Sequence, residues 1–277
     1  MAAGLFATLF PSDCRICGLP LVNISRLPVC EVCLDAMQPI EGTQCSVCGD
    51  ALQGSFTAPI SQLTLGNGEP GPHCELCRRI DPPYVKATAY GSYEGGLREL
   101  IHLLKYNQVR PAANVLGRML ADAIEDLQPL FADREVLVVP VPLHRRKLRE
   151  RGFNQAEVIA RAALKLKRDA RLRLNASLVE RCRETQAQIG LTRHQRRENI
   201  RGAFVVSNRQ ELFGREILVV DDVFTTGTTV SECARVLRRA GASNVYVATV
   251  AHTLKVESQH MLQPLEPEAK LTMAAAG

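Results

Sequence analysis

Apolar and polar positions along this chain change their rhythm twice. From about residue 83 to residue 253, short apolar runs alternate with segments of helical spacing, the pattern of a parallel α/β sheet. Val136-Leu137-Val138-Val139 and Ile217-Leu218-Val219-Val220 are unbroken apolar runs. Strands covered on both faces read this way, because neither side faces water. Residues 85–93, 203–206 and 244–250 supply the other strands that the pattern predicts. Between them, Leu97, Leu100, Ile101 and Leu104 share one helical face, and residues 112–130 read as a single helix with Val115, Met119, Ala123 and Leu127 inward. A helix capped by Asn154 runs to residue 166, and residues 230–239 form another with Val230, Ala234 and Leu237 on one side.

The rhythm fails at both ends. Asp81-Pro82-Pro83 punctuates the first change, and the apolar pattern stops after Thr253. The chain therefore divides into residues 1–82, 83–253 and a tail, 254–277, expected to be disordered. Within the larger part, residues 165–173 read as a basic turn and 178–203 as a long polar loop of the kind that is functional or disordered.

Cysteine changes the picture of the first part. Eight of the ten cysteines form C-x-x-C pairs: Cys14/Cys17, Cys30/Cys33, Cys45/Cys48 and Cys74/Cys77. Each pair can bite one tetrahedral ion, and two pairs close a Cys₄ site, so eight ligands imply two structural Zn²⁺ ions. The stretch is poor in apolar residues, so metal must supply its folding energy. Replacing Cys45 should then unfold this region and leave the rest intact. Consecutive pairing is the reading adopted, with cross-braced pairing open. Gly18 and Gly49 directly follow their pairs, as knuckle turns often require; Cys182 and Cys233 are solitary and not expected to be ligands. The chain carries no export signal, and its apolar residues 1–10 read as a short docking segment, so thiolate–metal chemistry in a reducing cytoplasm is the better account than disulfides. No apolar run approaches the roughly eighteen residues that crossing a membrane needs. Gly66, Gly68 and Gly71 satisfy G-x-G-x-x-G, but they follow no strand and Pro70 interrupts them, so they read as a loop.

Candidate chemistry concentrates after the second apolar run. Asp221-Asp222 is followed by Val-Phe and then Thr225-Thr226-Gly227-Thr228-Thr229, after which helical spacing begins. Free N–H groups and the dipole at a helix start favour an anion, the threonines add hydroxyl donors, and Gly227 permits close approach of the backbone. Two carboxylates beside a phosphate cradle make sense if they hold ribose hydroxyls or a Mg²⁺. Charge is focused as well. Of 34 lysines and arginines, 17 lie between residues 144 and 201 against 6 acids, and the net charge of the chain is only +5. That focus suits a polyanion, whether pyrophosphate or nucleic acid. Its densest part is residues 144–155, His-Arg-Arg-Lys-Leu-Arg-Glu-Arg-Gly-Phe-Asn-Gln, behind a proline-braced strand end.

The 217–229 stretch resembles the phosphoribosyl pyrophosphate (PRPP) motif of the type I phosphoribosyltransferases. The cysteine pairs, residues 93–106 ending Leu-Lys-Tyr, residues 139–155 and the Arg-x-Thr-x-x-Gln-x-x-Leu spacing (Arg183, Thr185, Gln188, Leu191) within 183–204 extend the resemblance to the ComF/GntX family. It implies an α/β, parallel-sheet type I phosphoribosyltransferase fold behind a small N-terminal double zinc ribbon. It further implies Asp221 and Asp222 on the ribose hydroxyls and Thr225, Thr226, Gly227, Thr228 and Thr229 on the 5′-phosphate. Lys105, Arg145, Arg151, Arg183 and Arg196 become candidates for the pyrophosphate and the mobile loop, with Mg²⁺ accompanying PRPP. The family's setting is cytosolic, in natural competence, DNA uptake or DNA utilisation, with competence proteins such as a helicase as partners. The acceptor, and whether transfer is catalysed at all, stay open. Met1-Ala2 offers no N-terminal cysteine nucleophile, so glutamine-dependent amide transfer is not expected. The alternatives are a non-catalytic zinc-ribbon module for single-stranded DNA and a PRPP sensor. Aromatic residues make up only 5% with no Trp, so DNA contacts would go to the phosphate backbone rather than to stacked bases.

Overall fold

A computed structural model describes residues 13–21, 25–52, 71–167, 169–185, 190 and 192–254. The docking segment 1–10, most of the glycine-rich loop and residues 255–277 of the tail lie outside the described residues. Two short helices, α1 (Glu31–Asp35) and α2 (Glu75–Arg79), belong to the cysteine-rich part. There follow β1 (Ala87–Ser92), α3 (Gly95–Tyr106), α4 (Ala112–Glu125), α5 (Gln128–Phe131), β2 (Val136–Pro140), α6 (Arg145–Arg151), α7 (Gln155–Leu166), β3 (Leu172–Leu174) and β4 (Val179–Arg181). The chain continues through α8 (Arg193–Ile200), β5 (Phe204–Val206), α9 (Arg209–Leu212), β6 (Glu216–Phe224), α10 (Thr228–Arg239) and β7 (Asn244–His252).

Five strands form one parallel sheet in the order β1-β7-β6-β2-β3. The two apolar runs lie side by side in its centre, Val139 opposite Val219, and are buried throughout. Successive residues of a strand face opposite sides. Leu218 and Val220 of β6 accordingly pack with α3, α4 and α7, while Ile217 and Val219 pack with Val230, Ala234 and Leu237 of α10.

Four expectations change. The helix expected over 112–130 is interrupted, because Pro129 opens a new short helix rather than continuing the old one. Val115 is only half-buried, whereas Met119, Ala123 and Leu127 are in the core. The basic turn at 165–173 contains the edge strand β3, which needs only one inward residue, Leu172, and so carries little hydrophobic signal. The polar loop at 178–203 contains β4 and α8, and β5 pairs antiparallel with β4 in a separate two-stranded sheet. α8 opens on a reciprocal capping box of Thr192 and Gln195, which was not singled out from the sequence.

The cysteine-rich part does not stand apart. Cys14, Leu27, Val29 and Met37 join the apolar cluster of α3 and α4, while Cys45, Val47, Cys48 and Cys74 join the cluster on the α10 side. Backbone bonds tie it to β1: Ala87 N donates to Val47 O at 2.7 Å and Ile40 N to Tyr90 O at 2.8 Å. At Gly91 a Cβ would stand 2.7 Å from Leu97 Cδ2 and 3.2 Å from Gln38 O, so the contact leaves no room for a side chain.

Candidate functional site

Topology locates a crevice before any side chain is considered. The connection β2–α7–β3 packs on one face of the sheet and β6–α10–β7 on the other. Adjacent parallel strands whose helices leave to opposite faces open a cleft at their carboxyl ends, where ligands of such sheets bind. Here the cleft lies between the ends of β2 and β6.

The end of β6 carries Asp221 and Asp222, and strand alternation separates them. Asp222 turns to the α3/α7 side, where it is buried and forms an ion pair with Lys105 Nζ from the last turn of α3. Gln155 Nε2, at the first position of α7, donates to its other carboxylate oxygen at 3.2 Å. Burial raises the Asp222 carboxyl, but the Lys105 charge and these hydrogen bonds outweigh it and hold the group below the ordinary carboxylate value. Asp221 turns toward α10, near Cys233. Burial and the neighbouring Asp222 charge push its carboxyl well above the ordinary range. The acidic pair is thus one fixed anion and one reluctant one.

Immediately beyond, the chain turns from β6 into α10. Gly227 adopts φ +69° as the N-cap, and a Cβ there would meet Phe224 Cζ at 2.5 Å. The Thr226 and Thr228 hydroxyls are hydrogen-bonded to each other at 2.7 Å. Gly227→Ala should therefore combine a left-handed backbone penalty of about 1–2 kcal/mol with displacement of the Phe224 ring. We expect a lower melting temperature and loss of phosphate binding at the loop; normal phosphate binding in the folded variant would contradict this role for the turn.

The basic candidates divide. Arg151 lies over the Tyr106 ring at 5.7 Å and donates to Gln155 at 2.5 Å, on the crevice. Arg196 of α8 donates to Thr225 Oγ1 at 3.4 Å, which brings α8 over the threonine loop. Lys105 pairs with Asp222 of the acidic pair. Arg145 is exposed and pairs with Glu180 at 3.9 Å, and Arg146 with Glu184 at 3.2 Å. Arg183 donates to the carbonyls of Asn199 and Arg201 and so braces the end of α8. Gly152 takes φ +78°, and Asn154 caps α7 through Ala156 N at 3.1 Å while donating to Val141 O at 3.0 Å. Gln155 was not singled out from the sequence, although its place just after the Asn154 cap puts it at the crevice.

A cavity of about 950 Å³ adjoins the loop. Thr225, Thr226 and Thr228 form part of its wall, Leu76, Ile80 and Tyr84 bring the cysteine-rich side to it, and arginines of α8 and α10 line the rest. At its base His252 is buried and stacks on Phe224 with 4.6 Å between ring centres.

The cysteines assemble into two clusters, Cys14/Cys17/Cys30/Cys33 and Cys45/Cys48/Cys74/Cys77, each with all four Sγ atoms within 4.8 Å. This is consecutive grouping rather than cross-bracing. The Sγ separations of 3.9 Å for Cys14–Cys33, 3.8 Å for Cys17–Cys30 and 3.6 Å for Cys48–Cys74 match the edge of a tetrahedron with Zn–S bonds of about 2.3 Å, roughly 3.8 Å. Backbone N–H groups of Ile16, Cys30 and Cys77 point at ligand sulfurs, as thiolates require. The two knuckles repeat one turn: Gly18 N and Gly49 N each donate to the first cysteine's carbonyl at 2.9 Å, with φ +74° and +73°. These donor sets fit a four-coordinate thiophilic metal.

Comparison with known proteins agrees with this arrangement. The family model described as "Phosphoribosyl transferase domain" matches residues 159–263, a span that starts in α7 and takes in β6, the threonine loop and β7. The DNA utilization protein YhgH of Escherichia coli O6:H1 is 32% identical over 252 residues, 88% of this chain and 98% of that protein. Competence protein F of Haemophilus influenzae is 30% identical over 177 residues, 63% of this chain and 76% of that protein. Competence protein ComFC of Bacillus subtilis is 24% identical over 216 residues, 77% and 79% of the two chains.

Proposed function

Because the chain belongs to the competence protein F (ComF) family and carries a phosphoribosyltransferase-type domain, we propose that it binds PRPP, as the Mg²⁺ complex, in the crevice between β2 and β6. The role is in DNA uptake or DNA utilisation. The observation that carries the reading is the convergence at one sheet edge of the Asp221/Asp222 pair, the Thr225–Thr229 loop and Arg151. Asp221 and Asp222 accept the ribose hydroxyls. The threonine hydroxyls and the first N–H groups of α10 hold the 5′-phosphate, which the dipole of this twelve-residue helix favours. Arg151 faces the pyrophosphate, and Mg²⁺ arrives with that substrate.

As pyrophosphate leaves, positive charge develops on the ribosyl carbon. The acidic pair stabilises it electrostatically, and α8, poised over Thr225 through Arg196, keeps water away. The cavity walled by Thr225, Thr226 and Thr228 leaves room for a second molecule beside this loop. Two Zn²⁺ ions in the Cys₄ clusters are structural, since all four positions of each are filled by protein sulfur. Thiolate clusters of this kind suit a reducing cytoplasm, and no helix among the described residues is long and apolar enough to cross a membrane.

Calorimetric titration with PRPP and Mg²⁺ tests the reading. Each aspartate removed costs a charged hydrogen-bond acceptor, about 1.5–3 kcal/mol, so Asp221→Asn should weaken binding about tenfold or more. Unchanged affinity would remove the assignment. Repeating the titration with a single-stranded oligonucleotide over a salt series tests a second reading, favoured by the exposed α6 cations Arg145, Arg146, Lys147 and Arg149. Neutralising Arg145 or Lys147 should lower the salt slope of DNA binding by about 1 each with PRPP binding intact. Arg151→Gln should do the reverse. If no substitution moves the slope, DNA does not bind along α6.

A further inference from the structure

Two adjacent carboxylates at the end of a buried strand present an electrostatic problem of their own, independent of any ligand. Burying an unpaired charge is expensive, and a sugar phosphate arriving beside two such charges adds repulsion. Sites with this composition commonly solve the problem by recruiting a divalent cation with oxygen ligands. This protein already holds a cation there. Lys105 extends from the last turn of α3, where the helix dipole favours positive charge, and its side chain is only 16% exposed. Its ammonium pairs with Asp222, and Gln155 holds the other oxygen of the same carboxylate. Asp222 and Asp221 together raise the proton affinity of Lys105 by more than burial lowers it, so the ammonium stays charged. Of the cations in the described ion pairs, only Lys105 touches the acidic pair.

We propose that Lys105 is a built-in counter-cation of the acidic pair, so that the ribose end of the crevice accepts a ribose 5-phosphate without a divalent ion. The inference rests on the ribose-phosphate reading above and adds to it a division of labour. The fixed lysine offsets charge at the ribose hydroxyls, and a divalent ion is needed only by the pyrophosphate group. Lys105 is then a positioning residue: it acts through Asp222, by keeping that carboxylate ionised and aimed.

The test is calorimetric titration with ribose 5-phosphate, which has the sugar and the monoester but no pyrophosphate, in excess EDTA and in excess Mg²⁺. For the wild type we expect affinities within about twofold in the two buffers, while PRPP loses affinity in EDTA. Lys105→Gln should bind ribose 5-phosphate about tenfold more weakly in EDTA, the scale of one charged hydrogen bond, and regain much of it with Mg²⁺. Lys105→Arg keeps a cation and should remain indifferent to Mg²⁺. A wild-type affinity for ribose 5-phosphate that rises tenfold with Mg²⁺ overturns the proposal, as does a folded Lys105→Gln with wild-type affinity in EDTA. If the glutamine variant does not fold, the wild-type pair of titrations decides alone. Failure of both ribose 5-phosphate and Mg²⁺–PRPP to bind would instead overturn the ribose-phosphate reading, and this inference with it.

Discussion

Replacing Cys45 by serine is expected to unfold the protein as a whole, not the cysteine-rich part alone. Read as a sequence, residues 1–82 are core-poor and separable, and loss of a cysteine should spare the remainder. The structure places Cys45, Val47, Cys48 and Cys74 in one apolar cluster with Tyr84, Leu137, Ile217 and Val219, on the face of the sheet that α10 also covers. Val47 and Ile40 are hydrogen-bonded to β1. A structural Cys₄ zinc site contributes an apparent 10–16 kcal/mol at neutral pH, comparable to the whole stability of a domain, about 5–15 kcal/mol. Even if a damaged site retained part of that, a loss of about 5 kcal/mol would lower the melting temperature by roughly 10–20 °C. Elemental analysis should find two zinc ions per wild-type chain and at most one in Cys45→Ser, and calorimetry should show the main transition shifted or absent. A variant that loses one zinc but melts at the wild-type temperature would return the cysteine-rich part to independence.

The second large effect is an asymmetry between neighbours. Asp222→Asn strands the Lys105 ammonium in a nearly dry site, and breaking a buried pair from one side costs about 3–5 kcal/mol. Asp221→Asn removes the carboxylate that burial and Asp222 already disfavour, so it should be neutral or stabilising at pH 7. Urea unfolding of the two variants measures the difference. Its pH dependence follows from the shifts. Asp222 is depressed below the ordinary 3.8, so its contribution is present above that pH and lost as pH falls through its lower folded value. Lys105 is raised above the ordinary 10.5, so its contribution is present below that pH and lost as pH rises through its higher folded value. Asp221 has the opposite sign: its burden grows as pH rises from the ordinary carboxylate value through its raised one. The Asp222 and Lys105 contributions to the stability gap between wild type and Asp222→Asn should therefore be constant across neutral pH, and any slope there reports Asp221, whose carboxyl the Asp222 charge helps to raise. Equal destabilisation by both substitutions would show that the pair is not divided.

Much of the architecture was legible because it depends on short-range rules. The central strands announced themselves by unbroken apolar runs, and α3, α7 and α10 by a single inward face, with a cap at Asn154 for α7. Less legible were elements whose burial is decided elsewhere. β3 buries essentially one residue against β2, and β4 and β5 find partners only in each other. The α8 helix is polar along almost its whole length, so its periodicity gave no signal and it was read as loop. Candidate site residues divided the same way. The acidic pair and threonine loop are contiguous and readable together, whereas Lys105 and Gln155 come from helices distant in sequence and meet Asp222 only in the folded chain.

By itself, the amino-acid sequence determined the alternation of strands and helices, the eight thiol ligands and the acidic pair followed by its hydroxyl loop. These are local matters of periodicity, capping and residue chemistry, carried by neighbours along the chain. Tertiary structure alone decided which cysteines share a cluster, that the cysteine-rich part shares both cores of the sheet, and that Asp221 and Asp222 lie in different electrostatic surroundings. Each of those depends on which surfaces meet across the sheet. A one-residue step along β6 reverses the face a side chain presents, so two adjacent aspartates, indistinguishable as letters, meet a lysine on one side and low-dielectric packing on the other.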